Sequence, residues 1–278
     1  MSSRKRVLII TQEMKPYLDL TDISTIVSGL PTKLQGQKLE IRVLMPRFGV
    51  INERRHRLHE VVRLSGINVV VNDEDYPLII KVASLPGARL QVYFLDNDDF
   101  FHRKQMYQDK NGENFDDNAE RMMFFNIGAI EIVRKFGWAP DVVYCSGWLT
   151  SMVPLLLKTK YKTDPIFDKS KVVYTAFQDE SFEGAIKPDF KSFLKENIEI
   201  EDDKMFDVYG KGSETDLNVG ALHYADGATI GSDMVEKAVE DKFNGLDMPK
   251  LPFNNNTDLL IDYAKFIKAQ TLNEDEVE

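Results

Sequence analysis

Short runs of aliphatic and β-branched residues recur along this chain, each followed by a longer amphipathic stretch, the pattern of parallel strands joined by crossover helices. Strand candidates are Val7 to Ile10, Ile41 to Met45, Leu78 to Ala83, Leu90 to Leu95, Val142 to Cys145, Val172 to Thr175 and Gly227 to Ile230. Helix candidates fall between them at Ser24 to Gln35, Asp117 to Phe136, Thr150 to Lys160, Asp216 to Ala225 and Ser232 to Lys242. The alternation predicts an α/β fold: a single Rossmann-like, doubly wound, mostly parallel sheet.

Residues 54–86 read differently. Val61 to Leu64 and Ile67 to Val71 flank Ser65-Gly66 as the arms of a hairpin would, which predicts an antiparallel flap on the sheet. Beyond Lys242, Asn244-Gly245 and the Pro- and Asn-rich residues 249–256 form a loop-rich linker. A last helix from about Asp258 to Gln270 places Leu259, Leu260, Tyr263, Phe266 and Ile267 on one face. That stripe is expected to dock on the body of this chain or on another protein. The expected organisation is a Rossmann-like domain over 1–243, then linker, docking helix and an acidic, solvated tail from Asn273 to Glu278 over 244–278.

Composition narrows the function. With 43% hydrophobic residues in 278, the chain can bury a large core. A net charge of −10, with no Lys/Arg stripe interleaved with aromatics, argues against a nucleic-acid partner. No run approaches the roughly 18 to 20 apolar residues of a membrane span, and the first apolar run ends at Thr11-Gln12-Glu13, too soon for a signal peptide; a cytoplasmic protein is expected. Cys145 lies inside a strand-like run and reads as core rather than nucleophile. His56, His59, His102 and His223 lack metal-ligand spacing with acidic neighbours, so neither metal nor cofactor is expected. Gly210-Lys211-Gly212-Ser213 lacks the order of a phosphate loop, and no dinucleotide fingerprint follows the first strand.

In open α/β sheets ligands bind beyond the carboxyl ends of strands, here residues 12–22, 96–107, 146–149, 176–184 and 231–233. Around those ends the motifs run in the order of a known family. Residues 7–13, Val-Leu-Ile-Ile-Thr-Gln-Glu, are similar to a first strand followed by Ser-Glu. Gly29-Leu30-Pro31 and residues 42–47, Arg-Val-Leu-Met-Pro-Arg, resemble "ALP" and "VRVLMPRY". Residues 93–97, then Arg103, Tyr107, Asp117-Asn118-Ala119-Glu120-Arg121 and Phe124-Phe125, resemble "YFIDN…R..LYG…DNAERFAFF". Residues 137–143, 153–156 and 224–226 resemble "GWKPDIVH", "LVPLLLK" and "YAD". The chain thus resembles the starch and glycogen synthases, which extend α-1,4-glucan from ADP-glucose or UDP-glucose with retention of configuration.

The resemblance implies the amino-terminal half of a GT-B glycosyltransferase, the half that holds the glucan acceptor. The nucleotide-sugar domain, with its carboxylate pair and Lys/Arg phosphate clamp, has no counterpart in these residues. Glu13, Tyr107, Asp117, Asn118, Arg121 and Trp148 match the family at or near the acceptor side of the cleft. Structural readings stand beside these: Arg121 pairing with Asp117 or Asp96 to hold a loop, and Tyr107 and Trp148 as packing or as sugar-stacking surfaces.

Other family positions are replaced. The Lys-Thr-Gly-Gly loop becomes Asp19-Leu20-Thr21-Asp22, two carboxylates where a diphosphate would want amides and a cation, with Thr21 or Asp22 free to cap the next helix. His-Asp-Trp-His becomes Ser146-Gly147-Trp148-Leu149, and Leu149 cannot replace a histidine hydrogen bond worth roughly 1 to 3 kcal/mol when buried. Ile-His-Asn becomes Ala176-Phe177-Gln178. These changes predict a catalytically silent relative with a binding or regulatory role, or else a glucosyltransferase completed by a partner chain. A homodimer or partner protein would cover the open half-cleft, and a glucan or small sugar is the candidate ligand.

Overall fold

The computed structural model describes residues 4–178, 184, 186–255 and 258–272. Its strands are β1 (Arg6–Thr11), β2 (Glu40–Pro46), β3 (His59–Glu60), β4 (Ile67–Val71), β5 (Glu74–Ser84), β6 (Gln91–Asp96), β7 (Val142–Ser146), β8 (Lys171–Ala176), β9 (Gly227–Ile230) and β10 (Lys250–Leu251). The helices are α1 (Asp22–Gly36), α2 (Glu53–His56), α3 (Asp98–Phe101), α4 (Asn118–Phe136), α5 (Met152–Lys158), α6 (Phe190–Asn197), α7 (Glu214–Tyr224), α8 (Lys237–Asn244) and α9 (Leu259–Gln270).

The sheet runs β10-β9-β8-β7-β1-β2-β6-β5-β3, with β4 paired to β5 off this path. From β10 to β6 every pairing is parallel, while β5 lies antiparallel to β6. Such strands are buried on both faces, which explains their unbroken apolar runs: Val7 to Ile10 and Val142 to Cys145 are at most 1% exposed. Right-handed crossovers fix the layers. The step β1 to β2 runs opposite in direction to the steps from β6 to β7, β8 and β9, so α1 covers one face and α4, α5 and α7 cover the other. The chain reverses at β1 and β7, and the crevice for ligands opens beyond the carboxyl ends of those two strands.

The flap is present, but its hairpin turns at Asn72-Asp73 rather than Ser65-Gly66. Both turn residues have positive φ, 52° and 61°, as a two-residue hairpin linking right-twisted strands requires, and Asn and Asp tolerate that region. Val61 to Leu64 forms a turn instead of a strand, closed by Leu64 N donating to the Val61 carbonyl at 2.8 Å. This register sends Val69 and Val71 inward, at 1% and 0% exposure.

Two expected helices start later than their patterns suggest. α5 begins at Met152 after a 3-10 turn over Trp148–Thr150, and α8 begins at Lys237. The two-residue strand β10 falls in the stretch expected to be linker, and the helix α6 falls where no element was expected.

α9 docks on the body of the chain, against α1. Tyr263, Ala264 and Ile267 are buried, and the Tyr263 hydroxyl donates to the Ile230 carbonyl at the end of β9. Tyr263 and Ile267, each fully buried, contribute roughly 1.5–3 kcal/mol apiece to that docking. The acidic tail lies outside the described residues.

Candidate functional site

The crevice between β1 and β7 is closed by its own side chains. The Ser146 hydroxyl donates to Thr11 Oγ1 at 3.1 Å, and the amide of Leu149 donates to Gln12 Oε1 at 3.2 Å. Gly147, at φ 83°, lies where a Cβ would stand 2.3 Å from that same Gln12 oxygen, so this turn can carry no side chain. Leu149 is 1% exposed, and its carbonyl accepts from Asn126 Nδ2 at 2.6 Å. The apolar replacement therefore belongs to the core and presents nothing to a ligand.

Open space lies one step aside, between the start of α1 and the ends of β8 and β9. This cavity, of about 680 Å³, is lined by Lys15, residues 19–22, Thr25, Phe177, Gln178 and residues 232–234. Asp19, Thr21, Asp22, Phe177 and Gln178 thus share one wall of open space. Phe177 lays its ring on Gly231, where a Cβ would come within 2.2 Å of it. Gln178 ties the wall together: its amide nitrogen donates to Glu214 at 3.2 Å, and its carbonyl oxygen accepts from Glu236 N at 3.1 Å.

The cavity's electrostatics are set by carboxylates. Asp19, Asp22 and Asp233 face one cation among the described lining residues, Lys15, whose ammonium sits 3.3 Å from Asp19. A hydrogen bond from the Ser24 hydroxyl, 2.7 Å away, with further help from Lys15, holds the Asp19 carboxyl below the usual carboxylate range. Asp19 therefore stays charged at neutral pH, although solvent screens it.

Glu13, although it follows β1 at the strand-end face, is only 1% exposed. It turns inward and accepts from Leu20 N at 2.8 Å, from Thr21 N at 3.1 Å and from the Thr21 hydroxyl. Those are the amides of the loop that aligns with the family's phosphate-facing glycines. An internal carboxylate thus occupies two of that loop's amide donors. Thr21 also caps α1, its hydroxyl accepting from Ile23 N at 3.3 Å, which is the capping role read from sequence.

The remaining matched residues form a separate cluster under the loop of residues 100–117. Tyr107 and Trp148 are buried and pack on each other with ring centroids 4.8 Å apart, so neither offers a face to a sugar. Arg121 does not pair with Asp117 or Asp96. Its guanidinium donates to the carbonyls of Phe100, at 2.7 Å, and Met106, and to Asn118 Oδ1 at 2.8 Å. Burial pushes its pKa down to about 10, partly offset by the charge of Asp117. Asp117 is claimed by Arg103, at 2.6 Å, and Asp96 by Lys81, at 2.8 Å. Backbone carbonyls displaced the carboxylates because a folded loop presents them closer to a buried guanidinium, at no charge-burial cost of their own.

Two further expectations resolve simply. Asp216 fills the Gly210 to Ser213 turn, accepting from Lys211 N at 3.0 Å and Ser213 N at 3.2 Å in a capping box. Cys145 is buried, and burial pushes its thiol pKa up, which leaves it unreactive. Among the described residues no group of three or more His, Cys, Asp or Glu could hold a metal, although His102 does lie 3.1 Å from Asp98. No described helix is long and apolar enough to cross a membrane.

A mostly parallel open sheet, helix-covered on both faces with its cavity beyond the strand ends, defines one Rossmann-like half of a GT-B glycosyltransferase. The model of the starch synthase catalytic domain matches residues 6–251, and the chain belongs to that family. It is 31% identical over 277 residues to a glycogen synthase of Chlorobaculum parvum, covering 92% of this chain and 55% of that one. A glycogen synthase of Chlorobaculum tepidum is 33% identical over 249 residues, covering 89% and 49%. The chain thus spans about half the length of these curated relatives. Among solved structures, the catalytic domain of starch synthase IV from Arabidopsis thaliana bound to ADP and acarbose shares the fold, with a TM-score of 0.66 at 20% identity, over 82% of this chain and 45% of that one.

Proposed function

We propose that this chain is a starch/glycogen synthase-like protein that is catalytically silent on its own and acts by binding, with a sugar or glucan as the ligand of its strand-end cavity. One observation carries this reading: two amides of the loop that would face a diphosphate are taken by Glu13, and among the described lining residues the cavity beyond them holds Asp19, Asp22 and Asp233 against one lysine, already paired. A sugar nucleotide carries two phosphate charges into that field and is repelled. A neutral saccharide is not, and the hydroxyls of Thr25 and Ser232 in the lining match sugar hydroxyls. The purified chain, incubated with ADP-glucose or UDP-glucose and a glycogen primer, is expected to add no glucose, while maltooligosaccharide raises its melting temperature. Glucosyl transfer by the chain alone overturns the proposal.

A second reading rests on a different observation. Leu20 and Met234, on the rim of the cavity, are 57% and 75% exposed, apolar surface that a covering partner would bury. This favours a glucosyltransferase whose donor side, on a further domain or another polypeptide, closes over the cavity. Transfer that appears only when such a partner is added supports it; no activity with any co-purifying protein sinks it.

A further inference from the structure

A second cavity opens at the opposite edge of the sheet, at the amino ends of β1, β2 and β6, and its charge is the reverse of the first. About 690 Å³ in volume, it is lined by Arg4, Lys38, Arg42 and Arg89 together with Glu40, Tyr93 and neighbouring residues. Four cations around one hollow is unexpected in a chain of net charge −10. Other cations on this protein meet carboxylates, Lys158 with Asp226 and Arg134 with Asp164 among them. These four have no ion-pair partner among the described residues. The one acid in the lining, Glu40, is engaged by Arg6 at 3.3 Å and by Trp138 Nε1 at 2.8 Å.

Arg42 is the most constrained of the four. Its guanidinium lies over the rings of Phe136, at 4.3 Å, and Trp138, at 4.7 Å, and its Nη1 is buried without a hydrogen-bond acceptor. A partly desolvated cation held by aromatic faces, whose only acid in the lining, Glu40, is shared with Arg6, is stabilised when an anion comes to it. Lys38 adds a second sign of constraint, since it holds φ 67°, a conformation that favours glycine or asparagine. A lysine just past a helix end offsets the negative end of the α1 dipole, which accounts for Lys38 by itself but not for Arg42 or Arg89. The Gln37 and Lys38 amides cap that helix end through the Leu34 and Gln35 carbonyls, at 3.0 and 2.9 Å, which blunts its repulsion of an anion.

We propose that this cavity binds a phosphorylated small molecule, one carrying at least two negative charges, and so gives the protein an anion-responsive site on the side away from the strand-end cavity. The hollow has the size of a small-molecule pocket, and half-buried Tyr93 and Leu90 offer apolar surface beside the charges. The proposal stands independently of the reading of the first cavity.

The test measures thermal unfolding and titration calorimetry of the full chain with pyrophosphate, AMP, ATP and a hexose phosphate at constant ionic strength, with sodium sulfate as reference. The double variant Lys38→Gly with Arg89→Ser removes two exposed charges, and glycine suits the backbone at position 38, so the fold is retained. A control pair of equal charge change, Lys265→Ser with Lys268→Ser, alters α9 instead. Phosphorylated ligands are expected to raise the wild-type and control melting temperatures, with binding weakened about tenfold or more in the Lys38/Arg89 variant. The winning ligand distinguishes nucleotide from sugar phosphate or bare pyrophosphate. No response in the wild type, or an equal loss in both variants, overturns the proposal.

Discussion

Replacing Glu13 by alanine tests the claim that this carboxylate holds the loop rather than serving a ligand. The substitution strips the acceptor from Leu20 N, Thr21 N and the Thr21 hydroxyl. Hydrogen bonds to a charged group contribute about 1.5–3 kcal/mol each. Leu20 is 57% exposed, so water recovers part of that once the loop loosens. A net loss of about 3 kcal/mol follows, or a fall in melting temperature of roughly 6–12 °C for a chain of this size. Glu13→Gln keeps one acceptor oxygen and should lose about half as much. Chemical denaturation followed by circular dichroism reads both, with an unchanged denaturant slope showing that the unfolded state is not altered. If Glu13→Ala unfolds within about 0.5 kcal/mol of the wild type, the carboxylate is not structural and the argument for a self-occupied anion cradle fails.

Other perturbations probe the neighbouring parts. Arg121→Met removes the bonds to the Phe100 and Met106 carbonyls and should cost about 3 kcal/mol, with faster proteolytic nicking within residues 100–107; unchanged nicking would mean the loop holds itself. Gly147→Ala forces a Cβ against Gln12 at positive φ and is expected to lose about 3 kcal/mol or more, read as poor soluble yield or a lowered melting point. Burial alone would raise the Glu53 pKa, but hydrogen bonds from Lys81 and Arg47 outweigh it and hold the carboxyl below its ordinary range. Its stabilisation is therefore complete above the unfolded value of about 4.3 and disappears as pH falls through the lower folded value. The stability gap between wild type and Glu53→Gln should hold steady from neutrality down to about pH 5 and close in more acid solution; a gap that persists at about pH 2 contradicts the ion-pair assignment.

The central strands and their order of appearance were readable in the residues because both sides of a parallel sheet are covered, and each strand must then be an apolar run between polar connections. The family motifs added the cleft and the list of replaced positions. What escaped was short or ambiguous: β10 spans two residues, too few for any periodicity, and Ser65-Gly66 looks as capable of turning a hairpin as Asn72-Asp73. Phe190, Phe193 and Leu194 do carry helical spacing, and α6 could have been found from it.

Local pattern settles which segments are strand or helix, since that choice depends on neighbours a few residues away. The partners of buried polar groups depend instead on residues brought together by the finished sheet. Glu13 curls back to the loop of residues 20–21 instead of facing the cleft, and Arg121 meets the carbonyls of residues 100 and 106 instead of an acid. The four cations at the amino ends of β1, β2 and β6 lie as far apart as Arg4 and Arg89 in the chain and become one site only when those strands lie side by side. A charge's neighbours in space, unlike its neighbours in sequence, exist only after folding.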